Sequence, residues 1–388
     1  MTGALPYPPH SRRAGSLRGS ALADLVVLGR ESGAVDLSAG VPAFPDPPQA
    51  VVEAAVEALR EGLNQYDDPR GNRQLREQLA ARQPIRTDPE TELTVTTGAT
   101  EGLCAAVLAT VDPGDEVVVL EPFYEGFHAA VRLAGGVLRT VPLRRPGWRW
   151  DPEDLAAAFG PQTRAVILNS PANPTGRALD AGELAELAEH VERWGVTVIS
   201  DEVYAGLVFD GRPHISVLDV PGLAERGIVV GSLSKWLAVS GWRLGYVRAD
   251  AARTRALRKV HEVTTQGTAA PLQAAIARSG VLRDEGWDPA PGLAERRDLI
   301  QAALSGFGFR FHPGEGGCFL LADVSGVSDL RGADFCRWLV AEYGVLVVPG
   351  TAFFDDPEEG GRYVRVAFNR TPETLAAAAD RLARGDRP

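Results

Sequence analysis

Apolar runs alternate with helical patterns through the middle of the chain. The helical patterns, in which apolar residues recur every three or four positions, cover Gly102–Thr110, Asp151–Phe159 and Asp180–Trp194. Because the runs between them are almost continuously apolar, they predict strands buried on both faces, in a mostly parallel sheet covered by helices. The predicted strands are Leu93–Thr96, Glu116–Leu120, Val137–Val141, Arg164–Leu168, Val196–Ser200, Ile228–Gly231 and Leu244–Val247.

The two ends of the chain have a different pattern. About 35 residues containing Pro, Arg and Gly predict an N-terminal arm, and the segment Asp36–Pro48 predicts an extended loop that leads into an amphipathic helix. After about Pro291, a helix over Leu293–Leu304, short strands and a last helix predict a smaller α+β unit. The short strands are expected near Phe309, at Phe319–Val324 and at Gly344–Val348, and the last helix at Thr374–Ala383.

Composition narrows the class of protein. With 388 residues and 45% hydrophobic positions, the chain has the composition of a globular protein of two or three domains. A formal charge of −11 without a basic run argues against nucleic acid, and no apolar stretch approaches the roughly 20 residues that span a bilayer. Three scattered cysteines argue against a disulfide framework or a metal site, and the N-terminus lacks a convincing signal peptide. We therefore expect a cytoplasmic protein without metal.

Lysine is almost absent from the chain. Lys235 and Lys259 are the only lysines, and the other 38 basic residues are arginine. Chance or contact with solvent explains a lone lysine in most proteins, and Lys259 fits that interpretation. A position that must keep an amine able to lose its proton is the alternative, because a guanidinium stays protonated. The commonest need for such an amine is a covalent imine with a carbonyl compound.

Polar clusters follow five of the predicted strands, and Lys235 lies in one of them. Each cluster has an ordinary explanation as a helix cap, a turn or a solvated charge. The carboxyl ends of parallel strands share one edge of a sheet, however, so the five clusters are expected to converge there. They are Thr97-Gly98-Ala99-Thr100, Glu121-Pro122-Phe123-Tyr124, the segment from Asn169 through Asn173-Pro174-Thr175-Gly176, Asp201-Glu202-Val203-Tyr204 and Ser232-Leu233-Ser234-Lys235.

A helix start suited to a phosphate, a carboxylate and an amine together match one cofactor, pyridoxal 5′-phosphate (PLP). With Ser232-Leu233-Ser234-Lys235-Trp236 and the following segment through Arg243 to Tyr246, the chain resembles the class I/II aminotransferases of PLP fold type I. The likeness is strongest to the kynurenine, methionine and glutamine aminotransferase branch, and it runs from about Asp36 to Leu382. It implies a large PLP-binding domain over 49–280, a small domain from 36–48 with 281–388, and a partly disordered arm over 1–35.

The resemblance also implies roles for the residues around the cofactor. Lys235 is the Schiff-base lysine and the base that moves a proton at Cα, and Asp201 pairs with the pyridine nitrogen. Asn173 and Tyr204 hydrogen-bond the ring oxygen, and Tyr124 stacks on the ring. The remaining cofactor contacts, mainly to the phosphate, are Gly98, Ala99, Thr100, Ser232, Ser234 and Arg243, with Tyr66 reaching the neighbouring subunit's phosphate in a homodimer.

Substrate contacts are implied in the same way. Arg365, in Tyr363-Val364-Arg365-Val366, matches the arginine that binds the substrate α-carboxylate, with Asn173 beside it. Gly40 matches the loop that lines the substrate pocket, although Ser38 stands where the family often has a glycine.

The function implied is transfer of an amino group from an L-amino acid to a 2-oxo acid by ping-pong kinetics. A PLP lyase, cyclase or oxidase acting on an amino acid is the alternative, because the same cofactor chemistry serves all of these reactions. An aminotransferase-like sensor of a gene regulator is disfavoured, because about 35 residues before the body are too few for a DNA-binding domain.

Overall fold

The computed structural model describes residues 11–18, 23–38, 44–284 and 286–384. Its main sheet has seven strands in the order β2-β8-β7-β6-β5-β3-β4, and β8 runs antiparallel to the other six strands. The strands of the described chain are β1 Val35–Asp36, β2 Leu93–Thr97, β3 Glu116–Glu121, β4 Val137–Pro142, β5 Thr163–Asn169, β6 Thr197–Asp201, β7 Gly227–Ser232, β8 Leu244–Arg248, β9 Arg310–Phe311, β10 Phe319–Asp323, β11 Val345–Leu346, β12 Val348–Pro349 and β13 Tyr363–Ala367. The predicted mostly parallel seven-stranded sheet is thus confirmed.

Helices cover both faces of this sheet, as the continuous apolar runs predict. On β3, Val117 and Val119 pack into one core while Val118 and Leu120 pack into the core on the opposite face. The α-helices are α1 Arg12–Gly15, α2 Ala23–Glu31, α3 Gln49–Arg60, α4 Arg73–Ala81, α5 Gly98–Leu108, α6 Glu125–Ala134, α7 Pro152–Ala158, α8 Ala181–Trp194, α9 Leu233–Trp236, α10 Ala251–Thr264, α11 Ala270–Ser279, α12 Ala290–Phe307, α13 Gly332–Tyr343 and α14 Pro372–Arg384.

A smaller α+β unit is built around a four-stranded antiparallel sheet in the order β12-β13-β10-β9. The N-terminal strand β1 pairs in parallel with β11, so both ends of the chain contribute to this unit. The region predicted as one strand, Gly344–Val348, forms two short strands instead. The physical reason is that the chain changes partners at the buried Val347, since β11 pairs with β1 whereas β12 pairs with β13.

The segment predicted as an N-terminal arm contains α1 and α2 in its described part. Leu25 of α2 is 2% exposed and packs into the core of the smaller unit. Periodicity did not reveal this helix, because it buries only a short apolar stripe. Gly40 lies outside the described residues.

Candidate active site

A cavity of about 550 Å³ opens where the carboxyl ends of β5, β6 and β7 meet the smaller unit. It brings together predicted site residues from four strand ends, the start of α6 and β13. The predicted residues that line it are Ala99, Thr100, Tyr124, Asn173, Asp201, Tyr204, Ser232, Ser234, Lys235, Arg243 and Arg365. Convergence of these side chains follows from the sheet, because parallel strands all end at the same edge.

The start of α5 and the side chain of Arg243 form one wall of this cavity. Gly98 has a φ of +75°, and a Cβ built on it would lie 2.5 Å from Nη2 of Arg243. The guanidinium therefore packs directly against the helix start, where the first N–H groups of an eleven-residue helix have no partner within the helix. A cation, free N–H groups and the hydroxyl groups of Thr100 and Ser232 make a set of donors suited to a phosphate.

Lys235 lies in the four-residue helix α9, directly after β7. The hydroxyl group of Ser232 accepts a hydrogen bond from the N–H of Ser234 at 3.1 Å and so fixes the turn that leads to the lysine. Burial lowers the pKa of Lys235, and the positive charges of Arg243 and Arg365 act in the same direction. A half-buried amine under the influence of two positive charges loses its proton more readily than a lysine in solvent.

Asp201 is the last residue of β6 and is 7% exposed. Burial raises the pKa of its carboxyl group to about 7, and the neighbouring charge of Glu202 adds to that rise. The N–H of Val203 donates a hydrogen bond to the carboxylate at 3.2 Å and opposes the rise in pKa. A buried carboxylate with this raised pKa is stabilised by a cation or a proton donor placed in the cavity, as a protonated pyridine ring is.

Arg365 lies in the middle of β13 and is 7% exposed. Its Nη1 donates to Oδ1 of Asn173 and its Nη2 donates to the carbonyl oxygen of Ser38, both at 3.1 Å. The guanidinium carbon lies 4.2 Å from the ring centroid of Phe319. Its Nε is buried and donates to no group in the described part of the chain, so the guanidinium keeps donors for an anion.

Two aromatic hydroxyl groups complete the polar wall. Burial raises the pKa of Tyr204 well above its ordinary value and also raises the pKa of Tyr124, so both stay protonated as hydrogen-bond donors. Tyr204 meets Phe319 edge-on, with ring centroids 6.2 Å apart.

Oδ1 of Asn169 accepts the N–H of Asn173 at 2.7 Å and thereby holds the loop that carries the Asn173 side chain.

Predicted site residues outside this cavity have separate positions. Gly98 does not line the cavity but lies next to the guanidinium of Arg243, which does. Gly40 lies among the residues that the structure does not describe. Tyr66 is 86% exposed and lines a different cavity of about 330 Å³, together with residues of α4 and α11.

Sequence reasoning assigned no role to several residues that the structure adds to the site. Asn169 carried a usable signal, because it is a polar residue at the end of an apolar strand. Phe319 carried none, since an aromatic residue at the start of a strand is typical of a core. The added lining residues are Leu103, Glu125, Asn169, Val203, Ser240, Gly241 and Phe319. Among the described residues, no cluster of metal-ligating side chains and no helix long and apolar enough to cross a membrane was found.

The donor set of the cavity fits PLP on two observations of the structure. The first is the set of hydrogen-bond donors formed by Arg243 and the start of α5, which suits a phosphate. The second is the buried Asp201, whose raised pKa calls for a positive ring nitrogen, in the same cavity as the half-buried amine of Lys235.

Comparisons with known proteins point to a single family. Residues 32–382 match the family model described as aminotransferase class I and II. The methionine aminotransferase of Escherichia coli K12 is 36% identical over 360 residues, which cover 92% of this chain and 93% of that protein. Kynurenine–oxoglutarate transaminase 3 of mouse is 30% identical over 96% of this chain and 89% of its own length.

Solved structures agree with the sequence comparisons. N-succinyldiaminopimelate aminotransferase of Mycobacterium tuberculosis superposes with a TM-score of 0.92 at 36% identity, covering 96% of this chain and 99% of that one. The matches extend over both the main sheet and the smaller unit. The chain belongs to the class I and II aminotransferases, which are pyridoxal-phosphate enzymes of fold type I.

Proposed function

We propose that this protein moves the amino group of an L-amino acid to a 2-oxo acid by ping-pong kinetics, with Lys235 as its Schiff-base lysine. One observation carries the assignment of the residues: the amine of Lys235, the carboxylate of Asp201 and the guanidinium of Arg365 line the same cavity. When bound, PLP supplies an aldehyde that bonds to amines and a ring that accepts the electrons released at Cα. Its phosphate is assigned to Ala99, Thr100, Ser232, Ser234 and Arg243. Gly98, which has no Cβ, leaves the space that the guanidinium of Arg243 occupies.

Lys235 is assigned the proton transfer. Burial lowers the pKa of this amine, so Nζ can take a proton from the substrate Cα and return it nearby. Asp201 keeps a proton on the ring nitrogen, because a cation opposite it relieves the cost of the buried carboxylate. Tyr204 and Asn173 supply hydrogen bonds to the ring oxygen, and Tyr124 covers the ring face.

Arg365 is assigned the substrate carboxylate. Burial next to Phe319 removes water from its guanidinium, so an ion pair formed there is stronger than one in solvent. Asn173 already accepts a hydrogen bond from Nη1 and helps to hold the group in place. The loop of Gly40 is assigned to the same pocket from the resemblance.

Neutral, aromatic or sulfur-containing amino acids are proposed as donors. The names of the relatives support this choice, since they include a methionine aminotransferase and kynurenine transaminases. A lyase, cyclase or oxidase reaction is not favoured, because the named relatives are aminotransferases.

The reaction is tested by a single half-reaction with the PLP-loaded protein. Methionine or phenylalanine, added without a 2-oxo acid, is expected to yield one equivalent of its own 2-oxo acid per subunit and then stop. Turnover resumes only when a second 2-oxo acid is supplied. Continuous product formation from the amino acid alone, or release of ammonia, would contradict amino-group transfer and support the alternative reactions.

A cytoplasmic homodimer is proposed as the working form. The exposure of Tyr66, together with Val52, Val56 and Leu59 of α3, supports a partner on that face. The three unpaired cysteines, Cys104, Cys318 and Cys336, support a reducing compartment.

A further inference from the structure

A buried histidine at the end of α10 makes contacts that the proposed reaction does not use. His261 has no exposed surface. Its Nε2 lies 2.9 Å from the carbonyl oxygen of Pro69, and its Nδ1 lies 3.1 Å from both carboxylate oxygens of Glu101. The hydroxyl group of Thr265 also lies 3.2 Å from Nδ1, and it donates to the carbonyl oxygen of His261 at the same distance. The carbonyl of Pro69 and the carboxylate of Glu101 only accept hydrogen bonds, so a ring that donates to both of them donates from both nitrogens and carries a positive charge.

These contacts join two segments that are assigned to a phosphate: the start of α5 to the phosphate of its own subunit, and the segment of Tyr66 to the phosphate of the neighbouring subunit. Glu101 belongs to the first turn of α5, and its Oε2 accepts the N–H of Thr97, the residue that precedes the helix. The hydroxyl group of Thr97 in turn donates to the carbonyl oxygen of Gly267, just beyond α10. Pro69 lies three residues after Tyr66, in the segment that connects α3 to α4. His261 is therefore the common anchor of the helix start and of the segment that carries Tyr66.

We propose that protonated His261 is a positioning residue for the phosphate of PLP: through Glu101 it holds the start of α5 in its binding geometry, and through Pro69 it holds the segment of Tyr66. This inference rests on the proposed phosphate site. It assigns to His261 no contact with the cofactor. Loss of its charge leaves the carboxylate of Glu101, whose side chain is only 12% exposed, beside a neutral partner, so the first turn of α5 loses its anchor.

The charged groups that act on His261 are Glu101 on α5 and Glu262 on its own helix. Burial lowers the pKa of His261, but the hydrogen bond and charge of Glu101 outweigh it, and the pKa is raised overall. The charged pair is complete below the ordinary pKa of histidine, about 6.5, and is lost as the pH rises through the raised value. Phosphate binding should weaken over that alkaline range.

The experiment compares the affinities of the cofactor-free protein for PLP and for pyridoxal, which lacks the phosphate. His261→Gln is expected to weaken PLP on the order of tenfold at neutral pH, the effect of one charge-assisted hydrogen bond, and to leave pyridoxal unchanged. The alkaline decrease in PLP affinity of the wild type should be absent from the variant. His190→Gln is the matched control, because His190 stacks on Phe159, which packs on the other face of the sheet. This variant is expected to bind PLP and pyridoxal like the wild type.

Several outcomes would overturn the inference. Wild-type PLP affinity in His261→Gln at every pH would do so, as would equal losses for PLP and pyridoxal, which indicate general structural damage. If His261→Gln does not fold, Glu101→Gln carries the same expectation, and an unchanged preference for PLP in that variant would be decisive against it. A wild type that binds PLP no better than pyridoxal would instead overturn the phosphate site of the proposed function.

Discussion

The two lysines of this 388-residue chain have the same side chain but lie in different surroundings. Lys235 lies half-buried in the cavity, where burial lowers its pKa. Lys259 is exposed on α10. An arginine at Lys235 could not lose its proton, so the surroundings of that position explain why an amine is present there.

Replacement of these lysines tests that difference. Lys235→Ala is expected to abolish turnover and the visible absorbance that PLP acquires on bonding to a lysine, because no other side-chain amine lines the described cavity. Lys259→Ala is the matched control and should keep both. An unchanged spectrum in Lys235→Ala would contradict the assignment of the Schiff-base lysine.

Asp201 and Asp210 show that the surroundings of a carboxylate decide whether its pKa is raised or lowered. Burial raises the pKa of Asp201 to about 7. Hydrogen bonds from Arg297 lower the pKa of Asp210, with Nη1 at 2.6 Å and Nη2 at 3.0 Å from its carboxylate oxygens. The first carboxylate therefore opposes folding of the cofactor-free protein at neutral pH, and the second favours it.

The corresponding asparagine variants are expected to have opposite effects on the free energy of unfolding without PLP. A raised pKa means that the stabilising protonated form of Asp201 is lost as the pH rises from about 4 to about 7. Asp201→Asn should remove that loss and be more stable than the wild type at pH 8, while transferring no amino groups. Asp210→Asn should be less stable at pH 8, because its lowered pKa gives stability that disappears only in acid. Urea unfolding at pH 4 and pH 8 measures both, and equal pH slopes for Asp201→Asn and the wild type would refute the first expectation.

At the scale of the element, the start of α5 depends on a glycine for two separate reasons. Gly98 needs a positive φ, and its missing Cβ leaves the space occupied by Nη2 of Arg243. Gly114 also has a positive φ, of +94°, but a Cβ there would meet nothing within 4 Å. A comparison of Gly98 with Gly114 therefore separates the effect of backbone strain from the effect of a side chain that displaces Arg243.

Alanine at these two glycines should act differently. Each substitution is expected to cost about 1–2 kcal/mol of stability, because an alanine is strained at positive φ. Only Gly98→Ala should also weaken PLP, since Arg243 must move away from the helix start. Thermal unfolding and a PLP titration distinguish the two effects, and a shared loss of PLP affinity would show that strain alone explains it.

Elements were easiest to predict where burial imposes a periodic pattern. The strands of the main sheet lie between two helix layers, so their apolar runs are visible in the sequence, and the observed ends differ from the predicted ones by at most one residue. α10 was not predicted, because its buried residues are Thr254, Leu257 and His261 and its other positions are half-buried or exposed. A helix anchored by polar contacts leaves little apolar periodicity.

At the scale of the whole molecule, the proposed dimer makes a distinctive prediction about shared sites. Lys235 and Arg365 line one cavity of one chain, whereas Tyr66 lies outside that cavity. If Tyr66 serves the partner's phosphate, a hybrid of a Lys235→Ala subunit and a Tyr66→Ala subunit contains one site with both residues intact. Such a hybrid should be more active than either parent dimer.

Hybrids purified through two different tags after coexpression provide the measurement. The hybrid of Lys235→Ala with Arg365→Ala is the matched control and should gain nothing, because each of its sites lacks one residue. Absence of a gain in the Tyr66 hybrid would place Tyr66 in its own subunit's site, or outside any site, and would refute a shared phosphate contact.

The sequence by itself determined the parallel sheet, the order of the polar clusters at its carboxyl edge and the one lysine placed among them. These features are local, because apolar periodicity and turn residues act over a few positions of the chain. Only the tertiary structure decided that Arg365 donates to Asn173, that Phe319 lies beneath its guanidinium and that His261 pairs with Glu101. Those partners are far apart in sequence, and their contacts arise from the packing of helices and of two units against each other, which leaves no pattern along the chain.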